Sequence, residues 1–290
     1  AFVAGPTGNL LGRFELIPEG NSYQAKNRSN LIASADEWFS PVAAEVGPDG
    51  NLWVADWYNF IIQHNPTPKP ERGEYEGVNG KGNAHENPNR DRQHGRIYRA
   101  IWEGAEDSKI QTLEGASPAD LVAALNDENL FWRSTAQRIL VAGKTKEAAP
   151  ALREIAKGGG VGAIHAIWTL AGIGEFDRET HLSALLGKDS DLKRNAVKAL
   201  ENDPESLQLF FDSAVMSSPD PKVRLAAFIK LSEFPENDAV KMAAEQLMKE
   251  KRNRDDEWLS LALQGAGAKQ KAKGPATFGP NLLPNPGFEK

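Results

Sequence analysis

The pattern of apolar and polar positions changes near residue 104. Before it, short alternating runs lie between turn-forming Gly, Pro, Asn and Asp residues, and this part holds all four tyrosines and four of the seven tryptophans. Such runs are typical of short strands joined by tight connections. After it, the chain is rich in Ala and Leu, and apolar residues recur at helical spacing. The pattern predicts a β region followed by an α-helical region.

The strongest strand signal runs from Glu45 to Tyr58. The turn sequence Gly47-Pro48-Asp49-Gly50 separates a strand at Val42–Val46 from an alternating strand at Asn51–Asp56. These residues therefore predict a β-hairpin.

Two further strand signals flank this hairpin. Residues 8–16 and 23–26 are predicted to pair across a turn at 18–21, and residues 95–101 form another alternating run. Between Gln63 and His94 there is almost no aliphatic residue, which predicts a long loop of the kind that is often functional.

The helical region contains an internal repeat. Similar phrases start at Trp132, Ala163, Leu192 and Val223, with intervals of 31, 29 and 31 residues, and a fainter fifth starts at Trp258. Such regular intervals predict stacked helix pairs.

Each repeat begins with a helix-start signal. In the first, Ser117 is predicted as the N-cap and Pro118 as the first helical residue, and residues 126–129 break the helix before its partner begins. Apolar residues at i, i+3, i+4 and i+7 then bury one stripe against the next unit. This is the HEAT-repeat pattern in a short-period form, and it predicts about five helix pairs over residues 117–267.

Composition excludes several classes of function. The chain of 290 residues is 40% hydrophobic and 26% charged, as in soluble globular proteins, and its net charge of −6 argues against nucleic-acid binding. It has no cysteine, which excludes disulfides, thiolate zinc sites, iron–sulfur clusters and c-type haem attachment within these residues. No apolar run approaches 18 residues, so no membrane span is predicted.

Several segments resemble one known family. Residues 36–59, which read DEWFSPVAAEVGPDGNLWVADWYN, are similar to the end of the propeller in the membrane-bound dehydrogenase-like proteins of Planctomycetes and Verrucomicrobia, relatives of glucose/sorbosone dehydrogenases. Residues 61–66 and 94–99 resemble the closing blade of that family, and residues 4–10 resemble a preceding blade. Residues 166–174, AIWTLAGIG, resemble its following HEAT array. The resemblance covers about residues 1–267.

The resemblance implies a multidomain β plus α fold, a partial β-propeller followed by an α-helical HEAT-repeat solenoid. Residues 1–104 correspond to about two C-terminal blades, 105–116 to a linker and 117–267 to the repeats. Residues 268–290 are expected to form a flexible linker and the first strand of a truncated β-sandwich of a carbohydrate-binding type. Since a propeller needs at least four blades, we expect the chain to belong to a larger protein.

The resemblance also implies export to the periplasm or the cell exterior and a parent protein that oxidises a sugar or polyol. The resemblance supports this class of reaction but does not identify the cofactor, and a quinone of the pyrroloquinoline type and Ca²⁺ are the candidates in that parent. Family members often continue into a c-type cytochrome module with a Cys-x-x-Cys-His motif, which this chain lacks.

Candidate site residues cluster around the end of the predicted strand at Asp56. Carboxylate and amide oxygens of Asp56 and Asn59 are candidate Ca²⁺ ligands, and nearby His or Arg side chains are suited to a quinone or a sugar hydroxyl. The candidates for cofactor or substrate binding are Asp56, Tyr58, Asn59, His64, His94 and Arg96.

A structural interpretation of the same residues stays open. Asp and Asn at strand ends often cap turns, and aromatic residues fill space between blades. His85 and Glu86 lack the spacing of a metal site. His165 is predicted to pack in the core, and His181 is predicted to face solvent.

The sequence leaves two alternative hypotheses for the function, each from a different class. In the first, the chain supplies the closing blades and helical scaffold of an exported dehydrogenase-like protein and is inactive by itself. In the second, it is a non-catalytic interaction module whose HEAT surface binds a protein partner, with sugar or polysaccharide bound elsewhere.

Overall fold

Eight β-strands precede eleven α-helices in the part of the chain that a computed structural model describes, residues 1–59, 78–79, 85–86, 93–104, 111–235 and 237–269. The chain divides into two compact units, Ala1–Gly143 and Lys144–Lys290. The described architecture is mixed β plus α, with two small antiparallel sheets ahead of the helices. The domain boundaries predicted from sequence stay predictions.

The first sheet is a three-stranded antiparallel meander. Its strands are β1 (Phe2–Gly5), β2 (Leu10–Glu19) and β3 (Ser22–Ala33), in that order. Glu19 pairs with Ser22, so the hairpin closes through two residues, and Gly20 there has φ of +55°. A left-handed residue suits such tight hairpin loops. The predicted early hairpin is confirmed.

The second sheet is also antiparallel and contains the hairpin predicted around residue 50. Its strands are β4 (Pro41–Val46), β5 (Leu52–Asp56) and β8 (Arg96–Ala100), with β5 in the middle. The strand predicted at 95–101 is confirmed as β8. Between β5 and β8 the chain forms a short ladder of β6 (Val78–Asn79) and β7 (His85–Glu86).

The two sheets share a small apolar core. Leu11 of the first sheet is fully buried with Leu52 and Val54 of the second, and Ala4 and Ile32 pack around them. Ala4, Leu11 and Ile32 are paired across neighbouring strands and so lie on one face of their sheet. The sheets therefore pack against each other face to face.

The turn between β4 and β5 is fixed by the carboxylate of Asp49. Its Oδ1 accepts hydrogen bonds from Trp53 Nε1 at 2.9 Å and from the Asn51 amide at 3.2 Å, and its Oδ2 lies 2.5 Å from Arg99 Nε. Burial favours the neutral acid, but these hydrogen bonds and the Arg99 charge outweigh it and lower the pKa of Asp49 to about 2. Gly47 is required here because any Cβ would clash with the Trp53 indole.

Two helices complete the first unit, α1 (Pro118–Ala124) and α2 (Leu130–Ala142). Ser117 and Asp120 form a capping box at the start of α1, which confirms the predicted cap and the first helical position of Pro118. The start of α2 binds the β4–β5 turn, because Asn129 Nδ2 donates to Gly47 O at 2.8 Å and Trp132 Nε1 donates to Pro48 O at 2.9 Å.

The second unit contains the other nine helices of the described residues. They are α3 (Ala149–Gly158), α4 (Gly160–Ile173), α5 (Arg178–Leu186), α6 (Ser190–Ala199), α7 (Pro204–Asp212), α8 (Pro221–Glu233), α9 (Asp238–Lys249), α10 (Lys251–Arg254) and α11 (Glu257–Lys269). In the described part of the chain, none of these helices is both long and apolar enough to cross a bilayer.

Burial confirms that five helices share one sequence register. The buried positions of α2, α4, α6, α8 and α11 align when Trp132, Gly162, Leu192, Val223 and Leu259 are placed together. Four residues later the same helices bury Ala136, Ala166, Ala196, Ala227 and Leu263. The second repeat thus starts at Gly162, one residue before Ala163, the start inferred from the repeated sequence phrases.

An arginine repeats the same backbone contacts in two of these helices. Arg133 Nη1 donates to the carbonyls of Asp127 and Glu128, six and five residues before it. Arg224 Nη1 donates to Ser218 and Pro219, at the same two offsets. Both arginines directly follow the aligned buried position. The two helices therefore share these hydrogen bonds as well as their buried positions.

Helix capping repeats as well, with one exception. Asn129, Asp189, Asp220 and Asp256 stand three residues before the aligned position, and each accepts an amide of its own helix. Gly159 occupies this place before α4 and has no side chain to offer. Asp189 replaces it, because its Oδ2 accepts the Gly160 amide at 2.8 Å while its Oδ1 accepts the amides of Asp191 and Leu192.

His181 is buried rather than solvent-facing, so that prediction was wrong. Only 4% of its surface is exposed, its Nε2 donates to Ala196 O at 2.7 Å and its ring contacts Phe176. The helix-start signal at Asp177 was identified correctly, but His181 lies on the side of α5 that faces α6. His165, predicted to lie in the core, is half-buried.

Removing the shared cap should cost more than removing an ordinary one. An N-cap side chain contributes about 1 kcal/mol, and Asp189 serves two helix starts, so we expect Asp189→Ala to lower the free energy of unfolding by about 2 kcal/mol. Urea denaturation followed by circular dichroism measures this. Asp203→Ala, which removes the cap of α7 alone, is the matched control. Equal losses in the two variants would contradict the shared role.

Burial of His181 should make the helices sensitive to acid. Burial lowers the pKa of His181 below its ordinary value of 6.5, and the hydrogen bond from its ring to Ala196 only partly offsets this. The unfolded chain therefore binds the proton more readily, so stability is complete above pH 6.5 and falls as the pH drops below it.

The expected result is that wild type loses more unfolding free energy between pH 7.5 and 5.5 than His181→Phe does. Leu185→Ala, which removes a buried neighbour in α5 but keeps the histidine, should retain the wild-type pH dependence. The same slope in wild type and His181→Phe would show that another group titrates.

Candidate functional site

Most of the candidate site residues gather at one end of the second sheet. Asp56 ends β5 and Arg96 begins β8, and the two residues pair directly. Tyr58 and Asn59 follow Asp56, and His94 precedes β8 by two residues. His64 lies outside the described residues. The structure thus brings four of the candidates together, and with Tyr98 they are here named the Asp56 cluster: Asp56, Tyr58, Asn59, Arg96 and Tyr98.

The carboxylate of Asp56 binds the protein's own backbone. The residue is 3% exposed, and its Oδ1 accepts hydrogen bonds from the amides of Ser40 and Tyr58, both at 2.7 Å. Ser40 Oγ in turn donates to the carbonyl of buried Asn59 at 2.6 Å. Asp56 therefore joins the start of β4 to the chain leaving β5.

The other oxygen, Asp56 Oδ2, is also buried, and it makes no regular hydrogen bond within the described residues. Tyr98 lies beside this carboxylate. Burial, followed by the Asp56 charge, raises the pKa of the Tyr98 phenol above its ordinary value. The phenol is therefore protonated at neutral pH and presents a donor group to the carboxylate.

Sequence reasoning did not include Tyr98 in the site. The available signal was strand alternation, since Tyr98 stands two residues after Arg96 on the same face of β8. Its pairing with Val54, two residues before Asp56, then places the three side chains on one face.

Tyr58 is held in an uncommon conformation between two neighbours. Its φ is +49°, in the left-handed region that residues other than glycine seldom adopt. The Arg96 guanidinium lies 3.1 Å from the centre of its ring, and the Trp38 ring lies 5.8 Å away. The hydrogen bond from the Tyr58 amide to Asp56 holds this turn, so the conformation has a structural cause.

The described residues of the Asp56 cluster do not supply the ligand set of a calcium site. Ca²⁺ takes six to eight oxygen ligands, and the Asp56 carboxylate has only one oxygen that no backbone amide occupies. Across the residues that the structure describes, no group of three His, Cys, Asp or Glu side chains is arranged to hold a metal. The assignment of Asp56 and Asn59 to Ca²⁺ stays a prediction without a described ligand set.

Comparison with known proteins identifies one family. Residues 1–103 match a family described as a domain of unknown function, DUF7133. The match covers the two sheets and the Asp56 cluster and ends just before the described helices. No curated protein matches the chain. The β part is therefore similar to a recognised domain whose description states no activity.

Substitutions at Asp56 show whether the fold depends on the hydrogen bonds that this side chain accepts or on its negative charge. Asp56→Ala leaves two backbone amides without an acceptor, and we expect a loss of about 2–4 kcal/mol in the free energy of unfolding. Asp56→Asn keeps the accepting oxygen and should lose less than half as much. Urea denaturation followed by tryptophan fluorescence measures both. Equal losses would mean that the charge, and not the accepted hydrogen bonds, stabilises the fold.

Proposed function

We propose that this chain is the non-catalytic junction of an exported dehydrogenase-like protein, in which residues 1–104 form closing blades of a propeller and the helices form a repeat scaffold. The observation that carries the non-catalytic part of the proposal is the Asp56 cluster, whose carboxylate accepts two amides of the chain through Oδ1 and keeps Oδ2 buried. In this proposal the parent's catalytic groups lie outside this chain.

The two sheets are compatible with blades. Each has three consecutive antiparallel strands, apart from the short β6–β7 ladder, and the sheets pack face to face through Leu11, Leu52 and Val54. Blades of a propeller pack in this way, and at least four are needed to close a ring. The proposal therefore requires further blades in the parent protein.

The helices support a HEAT-like scaffold. Their shared burial register, the repeated arginine contacts and the repeated caps are what stacked copies of one helix pair require. In such arrays each unit contacts its neighbours, which gives a rigid extended scaffold without a central active site.

The reaction proposed for the parent comes from the family resemblance. It is the oxidation of a sugar or polyol, in the periplasm or outside the cell, and a quinone is the candidate cofactor that we add to it. This chain's own part is to close and support the propeller that would hold the cofactor.

Turnover in the parent protein tests this assignment. We expect the parent to reduce a redox dye in the presence of sugars, and Asp56→Asn to keep at least half of that rate because it preserves the accepted hydrogen bonds. The isolated 290-residue chain, given pyrroloquinoline quinone, Ca²⁺ and the same sugars, should reduce no dye.

Two results would overturn the proposal. One is dye reduction by the isolated chain above the rate of cofactor alone. The other is a rate below one-tenth of wild type in the Asp56→Asn parent while circular dichroism and melting temperature stay unchanged, since that would make Asp56 a participant in the reaction.

A further inference from the structure

A groove of about 930 Å³ lies between strand β4 and helix α2 of the first unit. Glu45 and Val46 line its strand side, and Phe131, Ser134 and Arg138 are among the residues of its helix side. Its volume falls in the range of about 300–1,000 Å³ that is typical of ligand sites. None of the Asp56 cluster lines this groove.

The groove follows an edge of the second sheet. Glu45 and Val46 are consecutive strand residues, so their side chains point to opposite faces, and a groove that touches both must pass the strand's edge. The strand order β4-β5-β8 places β4 at an edge of this sheet in the described part of the chain.

Hydrogen-bonded and non-hydrogen-bonded residues alternate along β4, and this alternation points the backbone groups of two residues toward this edge. The Gly47 amide donates to Asn51 O at 2.9 Å, which makes Gly47 and Asn51 a hydrogen-bonded pair. Antiparallel pairs alternate, so Val46 opposite Leu52 and Ala44 opposite Val54 point their amides and carbonyls away from β5. Such an edge is a template for one more strand.

The helix side of the groove offers apolar contacts, and its charges are separated: Glu128 lies before the start of α2 and Arg138 lies two turns into the helix. Leu130 and Phe131 are exposed near the start of α2. Ser134 and Arg138 are four residues apart and so lie on one side of the helix. The Arg138 side chain is exposed and has no ion pair or hydrogen bond with the described residues. Glu45 on the strand side and Glu128 before α2 disfavour an acidic group, so one is favoured only at the Arg138 end of the groove.

The two walls are held in place before any ligand binds. Asn129 and Trp132 of α2 donate to the carbonyls of Gly47 and Pro48, directly after the end of β4. Binding a ligand therefore requires little ordering of the protein, which favours affinity.

We propose that this groove binds an extended peptide that pairs with the edge of β4 and places an acidic side chain near Arg138 and an apolar one near Phe131. This is strand addition, in which backbone hydrogen bonds provide affinity and side-chain contacts provide specificity. The site goes beyond the proposed function and does not depend on it.

Peptide binding to the whole chain tests the charge requirement. The probe is a fluorescent capped peptide, Gly-Val-Thr-Asp-Thr-Val-Gly, in which the Asp and both valines lie on one face of the strand, and its partner has Lys in place of Asp. By fluorescence anisotropy we expect the Asp peptide to bind about tenfold more tightly, equivalent to about 1.4 kcal/mol. Arg138→Glu should reverse the preference. The control is Lys198→Glu, the same charge change at an exposed residue of α6 in the other unit, which should leave the preference unchanged. Equal binding of both peptides to wild type would overturn the proposal.

Backbone variants test strand addition. Methylating alternate amides of the peptide blocks one of its edges at a time, so of two versions, one with both threonines methylated and one with both valines and the aspartate methylated, one should weaken binding at least tenfold. Val46→Pro in the protein should do the same, because it removes a donor at the shared edge. Unchanged binding with both methylated peptides, or with Val46→Pro, would overturn the proposal. Dimerisation of the chain would also overturn the proposal if sedimentation showed that Val46→Pro abolishes it and if no peptide bound. In that case a second copy of the chain would occupy the groove. These readouts are binding and mass, so their failure is distinct from a failure in dye reduction.

Discussion

Backbone amides at turns and helix starts need hydrogen-bond acceptors, and this requirement determines much of the described structure. The chain meets it with aspartates. Asp49 fixes the turn between β4 and β5, Asp56 joins the two ends of that hairpin, and Asp189 caps two helices. Each of these carboxylates binds groups that are distant in the chain or belong to different elements. The low pKa of Asp49 is one result, because its ionised form is the better acceptor.

The same requirement explains why the sequence could predict that Asp56 and its neighbours lie together but could not determine their chemistry. An Asp at a strand end, followed by Tyr and Asn, has the same local pattern whether its oxygens face a ligand or the backbone. The group that distinguishes these cases is the amide of Ser40, 16 residues before Asp56. Tyr98 was missed for a similar reason, since its position depends on the register between β5 and β8.

Local signals were sufficient wherever the stabilising interaction is itself local. The hairpin at Gly47–Asn51 and the capping box at Ser117 were predicted because turn and cap residues stand beside the elements they define. Prediction failed where a distant partner decides. His181 was placed in solvent because its acceptor on α6 is 15 residues away, and the second repeat was shifted by one residue because Gly159 gives no cap signal.

The shared carboxylate of Asp189 also restricts how this array can evolve. Repeat arrays usually lengthen by duplication of a unit and insertion of the copy at any junction. An insertion between α4 and α6 would separate Gly160 from Asp189 and leave the start of α4 without its acceptor, unless the copy carried an aspartate at the same place. A copied unit would therefore keep this helix start only if the acceptor for the Gly160 amide were copied with it.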